Sequence, residues 1–376
     1  MIEITRSLAR KLVAVLQKSV WAASGRKRIP PVLFRTGPQG LAVSTQYEGL
    51  AVRYTQRGGH RGDILAVPGQ ILQACAGEGK TPVRLEQLGA DRGIASWEDG
   101  KQSHDQEFSA TDPESMVSFP ESPEDLRLIE SNFLAALHDA EGCTAGEDGR
   151  FALTYAQLRG AGVIVGTDGK QLLWQTGFSF PWEDDPLVQP TRVFGSKALK
   201  RKPVSLGRTA THVVVRCEAW TVALPVKVGL KFPNAEDIIM NLSTDRTRWH
   251  VPSDEAAFLI RYLPRIPFEE YRPAVTLDLS PLVRLRSRDQ DNGRGMELIL
   301  QRSTVVGPPL QLTSNPRYLL RALKLGFRTF HHASGQPEHS RDGHRLYAWM
   351  PLDFPPLEPN DEDERIYSSE RSRRSR

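Results

Sequence analysis

Residues 314–326, SNPRYLLRALKLG, decide the fold, because a segment of the same kind comes back at a nearly fixed interval along the chain. Asn315 reads as a helix cap and Pro316 as the first helical residue, where its missing N–H costs nothing. Leu319, Ala322 and Leu323 share one face; Arg317, Arg321 and Lys324 share another at i, i+4, i+7. Working back from Leu319, helix-like segments recur at Leu259 (FLIRYL), Leu199 (SKALKR), Leu134 (NFLAAL), Leu72 (GQILQACA) and Leu12 (RKLVAVL). In chain order the steps are 60, 62, 65, 60 and 60 residues. Each segment leads into β-type sequence. A unit of one short helix plus several strands buries its apolar face only against its neighbours. It is longer than most solenoid units, so a few closed α+β domains are expected rather than an open array.

The intervening sequence supports this. PVLFRT, GLAVSTQ and GLAVRYTQ alternate as strands after a first helix over roughly Thr5–Val20. VRLEQL, GIASWED, FALTYAQLRG, AGVIVGTDG and KQLLWQTGFSF also read as strands and turns. So do THVVVRCEAWTVALPVKVGL, AVTLDLSPLVRLRS, GMELILQRS and the closing RLYAWMPL. Residues 101–121 are polar and Pro-containing, with a domain boundary expected at their end, and Ser122-Pro123-Glu124-Asp125 reads as the capped, acidic start of the third helix. A fourth helix is expected near Val193–Lys200, and Val251-Pro252-Ser253 opens a fifth. The expected divisions are 1–121, 122–248 and 249–354, with a charged, Pro/Ser-rich, disordered tail over 355–376.

The chain has 376 residues and a net charge of +4, which suits two or three soluble domains and names no partner. Cys75, Cys143 and Cys217 form no CxxC pair, which argues for a reducing compartment. The charged start MIEITRSLARKL lacks a signal-peptide core, and no apolar run is long enough to span a bilayer. A cytoplasmic protein without a membrane segment is expected.

Taken in order, several of these motifs resemble the bacterial DNA sliding clamp, the β subunit of DNA polymerase III. GPPLQLTSNPRYLLRALKLG followed by RLYAWMPL is similar to the family's closing block. GTDGKQLLW at 166–174 resembles its Thr-Asp-Gly-His-Arg-Leu segment, KFPNAEDII at 231–239 its Phe-Pro-Asp segment, and SGRKRIPPVL at 24–33 its first-domain loop. The resemblance runs over residues 1–354. It implies an α+β fold of three similar domains, each two helix-plus-antiparallel-sheet repeats. It also implies a homodimeric head-to-tail ring, without enzymatic activity, cofactor or metal, that encloses double-stranded DNA regardless of sequence. Polymerase, clamp loader and other clients would dock through short peptides, and ATP would belong to the loader.

A tether needs cations near phosphate, not base contacts. The residues expected to face DNA are Arg6, Arg10, Arg26, Lys197, Lys200, Arg201, Arg261, Arg317, Arg321 and Lys324. Cations on a helix face also serve simply to solvate it. The resemblance maps a peptide pocket onto Leu158, Thr167, Gly169, Leu172, Met240, Ala348, Met350, Pro351 and Leu352. Here the chain departs from the family: Lys170-Gln171 replaces His-Arg, Met240 a proline and Thr244 an arginine. A clamp paralogue that acts only as an interaction module therefore stays open. Met350 and Leu352 are also plausible as plain core residues.

Two other motifs carry chemistry of a different kind. ACAGEGKT at 74–81 nearly satisfies a P-loop and would make Lys80 and Thr81 the phosphate ligands of a nucleotide hydrolase. Its glycines, however, follow a helix and precede a strand, the reverse of a phosphate cradle. His331, His332, Glu338 and His339 carry metal-ligand chemistry, but adjacent residues point apart, so a surface or loop role is expected.

Overall fold

The computed structural model describes residues 1–25, 29–146, 151–199, 203–242, 246–269, 271, 273–289 and 293–369. Seven α-helices lie among them: α1 (Arg6–Leu16), α2 (Val20–Ala23), α3 (Gly69–Cys75), α4 (Phe133–Glu141), α5 (Ala235–Met240), α6 (Ser253–Tyr262) and α7 (Pro316–Lys324). The chain forms two compact units. The first comprises Met1–Thr144, Arg150–Ile164 and Gly177–Lys231; the second comprises Ala145–Gly149, Val165–Thr176 and Phe232–Arg376.

The leucine period survives as packing. Leu12, Leu72, Leu134, Leu199, Leu259 and Leu319 are all buried, none more than 5% exposed. Packing runs in pairs: α1 with α3, α4 with the 3-10 turn Arg192–Gly195 that precedes Leu199, and α6 with α7. Thr5 caps α1 by accepting from Leu8 N–H, and Asn315 caps α7 by accepting from Arg317 N–H at 2.9 Å. Gly326, at φ +98°, turns the chain away after α7, and Phe327 N–H closes back on the Ala322 carbonyl.

In the first unit one antiparallel sheet runs 63–67, 32–37, 40–47, 50–56, 220–227, 212–217, 204–208, 127–129. The ladder between Leu50–Gln56 and Trp220–Lys227 thus makes one sheet of strands from both sides of residue 121. A second sheet holds Ile2–Thr5, Pro82–Gln87, Arg92–Asp99 and Gln102–Ser109. The core lies between strands and helices; Tyr54 meets Trp220 there at 5.0 Å between ring centroids.

In the second unit one sheet runs 171–176, 345–349, 338–342, 329–332, 247–250, 304–306. Another runs 310–314, 275–279, 283–288, 295–300, 364–367. Trp249, Phe330, Trp349 and Tyr347 form an aromatic chain through this core.

Several expectations are corrected. The third helix does not begin at Ser122. Arg127–Ile129 is a strand on the edge of Val204–Arg208, and the helix starts at Phe133. Gly207 permits this, since a Cβ there would sit 2.4 Å from the Asp125 carbonyl oxygen. The fourth segment is only a 3-10 turn, Arg192–Gly195, with Gly195 pressed against the His138 ring. The polar stretch 101–121 contains the strand Gln102–Ser109; of its side chains only Phe108 is buried, so no alternation of apolar residues announced it. The tail is not uniformly disordered: Glu364–Tyr367 forms a parallel strand beside Met296–Ile299.

The near-P-loop follows α3 and precedes Pro82–Gln87, and Gly77 lies against the Arg6 guanidinium. The histidines are not on a loop surface. Strands Thr329–His332 and Glu338–Asp342 stack His331 on His339 at 4.9 Å and bury His332 with Glu338, Nδ1 to Oε2 3.0 Å. Burial, with His331 and two arginines nearby, pushes the His339 imidazole down to about 4. Among the described residues no three His, Cys, Asp or Glu side chains, these included, are placed to hold a metal ion.

Candidate nucleic-acid interface

Helix α7 carries the plainest basic surface. Leu319, Ala322 and Leu323 point into the core, which turns Arg317 and Lys324 outward and leaves Arg321 half-buried. Among the described residues none of these three cations meets a carboxylate within 4.0 Å. Arg317 lies over the Phe268 ring at 5.9 Å. The neighbouring α6 adds Arg261, exposed and over the Tyr262 ring at 5.5 Å. Two cations at the last turn of α7 also suit the helix dipole, worth about 0.3–1 kcal/mol each. The dipole accounts for Arg321 and Lys324 but not for Arg317, which stands at the positive end.

In the first unit the cations are differently placed. Arg6 must be corrected: it is buried, its guanidinium donating to the Cys75 and Glu98 carbonyls and pairing with Asp99 at 2.7 Å. The hydrogen bond to Asp99 holds the Arg6 pKa above its ordinary value, so this cation closes the fold and has no face for a phosphate. Arg10 is exposed and pairs with Glu78 at 2.6 Å; Lys197 is exposed after the 3-10 turn. Arg26, Lys200 and Arg201 lie outside the described residues, as does Thr244. Lys11, overlooked as a candidate, is exposed one residue after Arg10 and reaches over the Tyr54 ring at 5.0 Å.

A second feature of α7 is its anchor. The turn 167–171 is tied internally: Thr167 Oγ1 donates to the Gln171 carbonyl at 2.6 Å, and Asp168 accepts from the N–H groups of Lys170 and Gln171. Gly169 adopts φ +89°, which favours glycine. Tyr318 on α7 donates to Asp168 Oδ2 at 3.3 Å. Burial and the Asp168 charge push the Tyr318 hydroxyl up to about 12, so it stays a donor across the physiological range.

From this turn the strand Gln171–Thr176 runs antiparallel to Arg345–Trp349, pairing Leu172 with Ala348 and Trp174 with Leu346. Met350 N–H continues the ladder onto the Lys170 carbonyl. The second unit thereby brings together Thr167, Gly169, Leu172, Ala348 and Met350, with Pro351 and Leu352 following; Leu352 N–H bonds the Thr313 carbonyl. Leu172 and Ala348 are buried, whereas Met350 and Met240 are exposed. Leu158 is a buried residue of the first unit. A cavity of about 230 Å³ opens on the same strand face, lined by Trp174, Leu346, His344 and Ile239 of α5. These lining residues were missed. Strand alternation from Leu172 to Trp174 was the available signal, and the short helix α5 the hidden one.

No family model matches the sequence, and no curated protein matches it. Solved structures do. The chain is similar to the DNA polymerase III β subunit from Pseudomonas aeruginosa, with 16% identity and a TM-score of 0.73, covering 94% of this chain and 100% of that one. It is similar to the β subunit from Thermotoga maritima at 14% identity and TM-score 0.73, covering 94% and 99%. A P. aeruginosa sliding clamp bound to griselimycin matches at 17% identity and TM-score 0.74, with the same coverage. The chain therefore has the sliding-clamp fold, a mixed helix-and-sheet architecture.

Proposed function

We propose that the chain is a DNA tether of the sliding-clamp kind. In this reading it is non-enzymatic, closes head to tail with a second copy around duplex DNA, and docks polymerase or repair clients through short peptides. The observation that carries the reading is the extent of the structural likeness: 94% of this chain on 99–100% of the solved clamps named above. The division into three lobes at about residues 121 and 248, each with one helix pair, belongs to the same proposal.

The physical case rests on what a tether requires. It holds phosphates weakly and without regard to sequence, so exposed cations without protein partners are the groups that matter. Arg317 and Lys324 are exposed and meet no carboxylate among the described residues, and Arg321 lies half-buried between them; Lys197 is exposed as well, while Arg10 is held by Glu78 and Arg261 is engaged with protein groups. For clients, the exposed Met350 and Met240 and the cavity beside Trp174 offer apolar anchors for an extended peptide.

The reading predicts that unrelated duplexes of equal length bind with affinities within about threefold of one another, falling steeply with salt. Fluorescence anisotropy over a salt series measures this. A strong preference for one sequence, or binding indifferent to salt, would refute it.

A further inference from the structure

The five-stranded sheet of the second unit ends in a strand borrowed from the tail. Glu364–Tyr367 lies parallel to Gly295–Leu300, with Met296 opposite Glu364 and Ile299 opposite Tyr367. Ser368 N–H adds a bond to the Ile299 carbonyl at 3.0 Å, and Gln301 N–H donates to Ser368 Oγ at 3.2 Å.

The site is shaped to receive this strap. Asp363 is buried and takes the Arg288 guanidinium at 2.9 Å. Gly295 leaves it the space: a Cβ there would lie 1.8 Å from the Asp363 carboxylate oxygen. Arg365 reaches Glu297 at 3.3 Å. Yet what holds the strap is almost entirely polar. Glu364 and Arg365 are exposed, Ile366 and Tyr367 only half-buried, and Leu357–Glu362 adds no fully buried side chain. An element with so little apolar burial belongs to the low-stability end of a fold and opens without the rest.

Elsewhere the fold leaves an edge bare. Gln102–Ser109 is eight residues long and, among the described residues, pairs on one side only, with Arg92–Asp99. Such an edge is a template for another strand. It carries Asp105 and Glu107. Lifting the strap removes Asp363 and leaves Arg288 without a carboxylate next to the freed edge of Gly295–Leu300. The freed edge would then present the uncovered Arg288 beside Glu297, which Arg286 still neutralises, to the acidic Asp105 and Glu107 of the other edge.

We propose that the strap is an intramolecular stand-in for the strand Gln102–Ser109 of a second copy, and that it holds the chain apart until released. Strap release exposes Gly295–Leu300, which then takes the partner copy's acidic edge and continues the sheet from one molecule into the next. This rests on the ring reading for its purpose, and names what controls closure; the pairing itself is tested separately.

The test compares the full chain with a chain lacking residues 361–376, by size exclusion with light scattering over a concentration series. The full chain is expected at its monomer mass of 42.0 kDa, and the shortened chain at about twice its own. In the full chain, Asp363→Lys sets a like charge against Arg288 and is expected to tighten self-association at least tenfold. Ile366→Pro, which disrupts the tail strand, should act in the same direction. Adding Asp105→Lys and Glu107→Lys to the shortened chain should return it to monomer. A full chain that dimerises with the strap intact overturns the proposal. So do shortened and Asp363→Lys chains that stay monomeric with unchanged circular dichroism, or dimers indifferent to the edge charges. Dimers that form on strap removal but hold circular and linear DNA equally briefly would support the strap and refute the tether.

Discussion

Replacing Arg286 by methionine is expected to destabilise the second unit by about 3–5 kcal/mol, read from chemical denaturation of the full chain. Arg286 crosses the middle of the five-stranded sheet, its Nε on Glu297 at 2.8 Å and its Nη2 on Asp278 at 2.7 Å. All three side chains are buried. Their mutual attraction roughly offsets the cost of taking the charges from water, so the trio itself adds little net stability. Removing the cation alone is another matter, because two carboxylates are left facing each other in a dry interior. Arg284 supplies the contrast. It lies 3.9 Å from the same Glu297 but is partly exposed, and Arg284→Met should cost about 1 kcal/mol or less. Equal losses from the two substitutions would show that Arg286 is not paired as described. The loss should also weaken the strap, since Glu297 is shared with Arg365.

The second large effect concerns DNA. Changing Arg317, Arg321 and Lys324 together to glutamine should leave folding almost untouched, because Leu319, Ala322 and Leu323 carry the packing of α7. If each cation meets a phosphate, the slope of log affinity against log salt falls by about 0.9 per residue, or about 2.7 for the three. At 0.15 M salt that is about a hundredfold loss of affinity. Arg6→Gln serves as the counter-example. Its guanidinium is committed to Asp99 and two carbonyls, so the change should lower stability and leave the salt slope alone. A triple variant with an unaltered slope would remove α7 from the DNA-contact surface.

What could be read from the sequence, and what could not, follows from the reach of each signal. Helices with a cap and an apolar face, such as α7 with Asn315, Pro316 and Leu319, are local objects, and they lie where the pattern put them. The 60-residue spacing of buried leucines was legible because every unit must pack against another. Strands whose support comes from distant residues were not. Arg127–Ile129 exists because Val204–Leu206 offers it a ladder, and its own serine-proline-acidic prelude imitates a helix start. Gln102–Ser109 is a polar strand held by its ladder, Glu364–Tyr367 one held by a ladder and ion pairs, and composition reads both as loop or tail. For the site, Arg6 misled because helical spacing gives a face but not the partner across it; Asp99 lies 93 residues away. Leu172, Ala348 and Met350 fall side by side, but the cavity next to them depends on α5, which no periodicity marked.

The tether claim is tested most directly by topology. Linear duplex is incubated with the full chain, and in parallel with the chain lacking residues 361–376. The duplex is then ligated into a circle, challenged with excess competitor DNA, and finally cut at a single site. The account predicts the chain lacking residues 361–376, whose ring is free to close, retained on the circle at least ten times longer than on linear DNA, and lost promptly on cutting. Equal lifetimes on circular and cut DNA for both chains would contradict it.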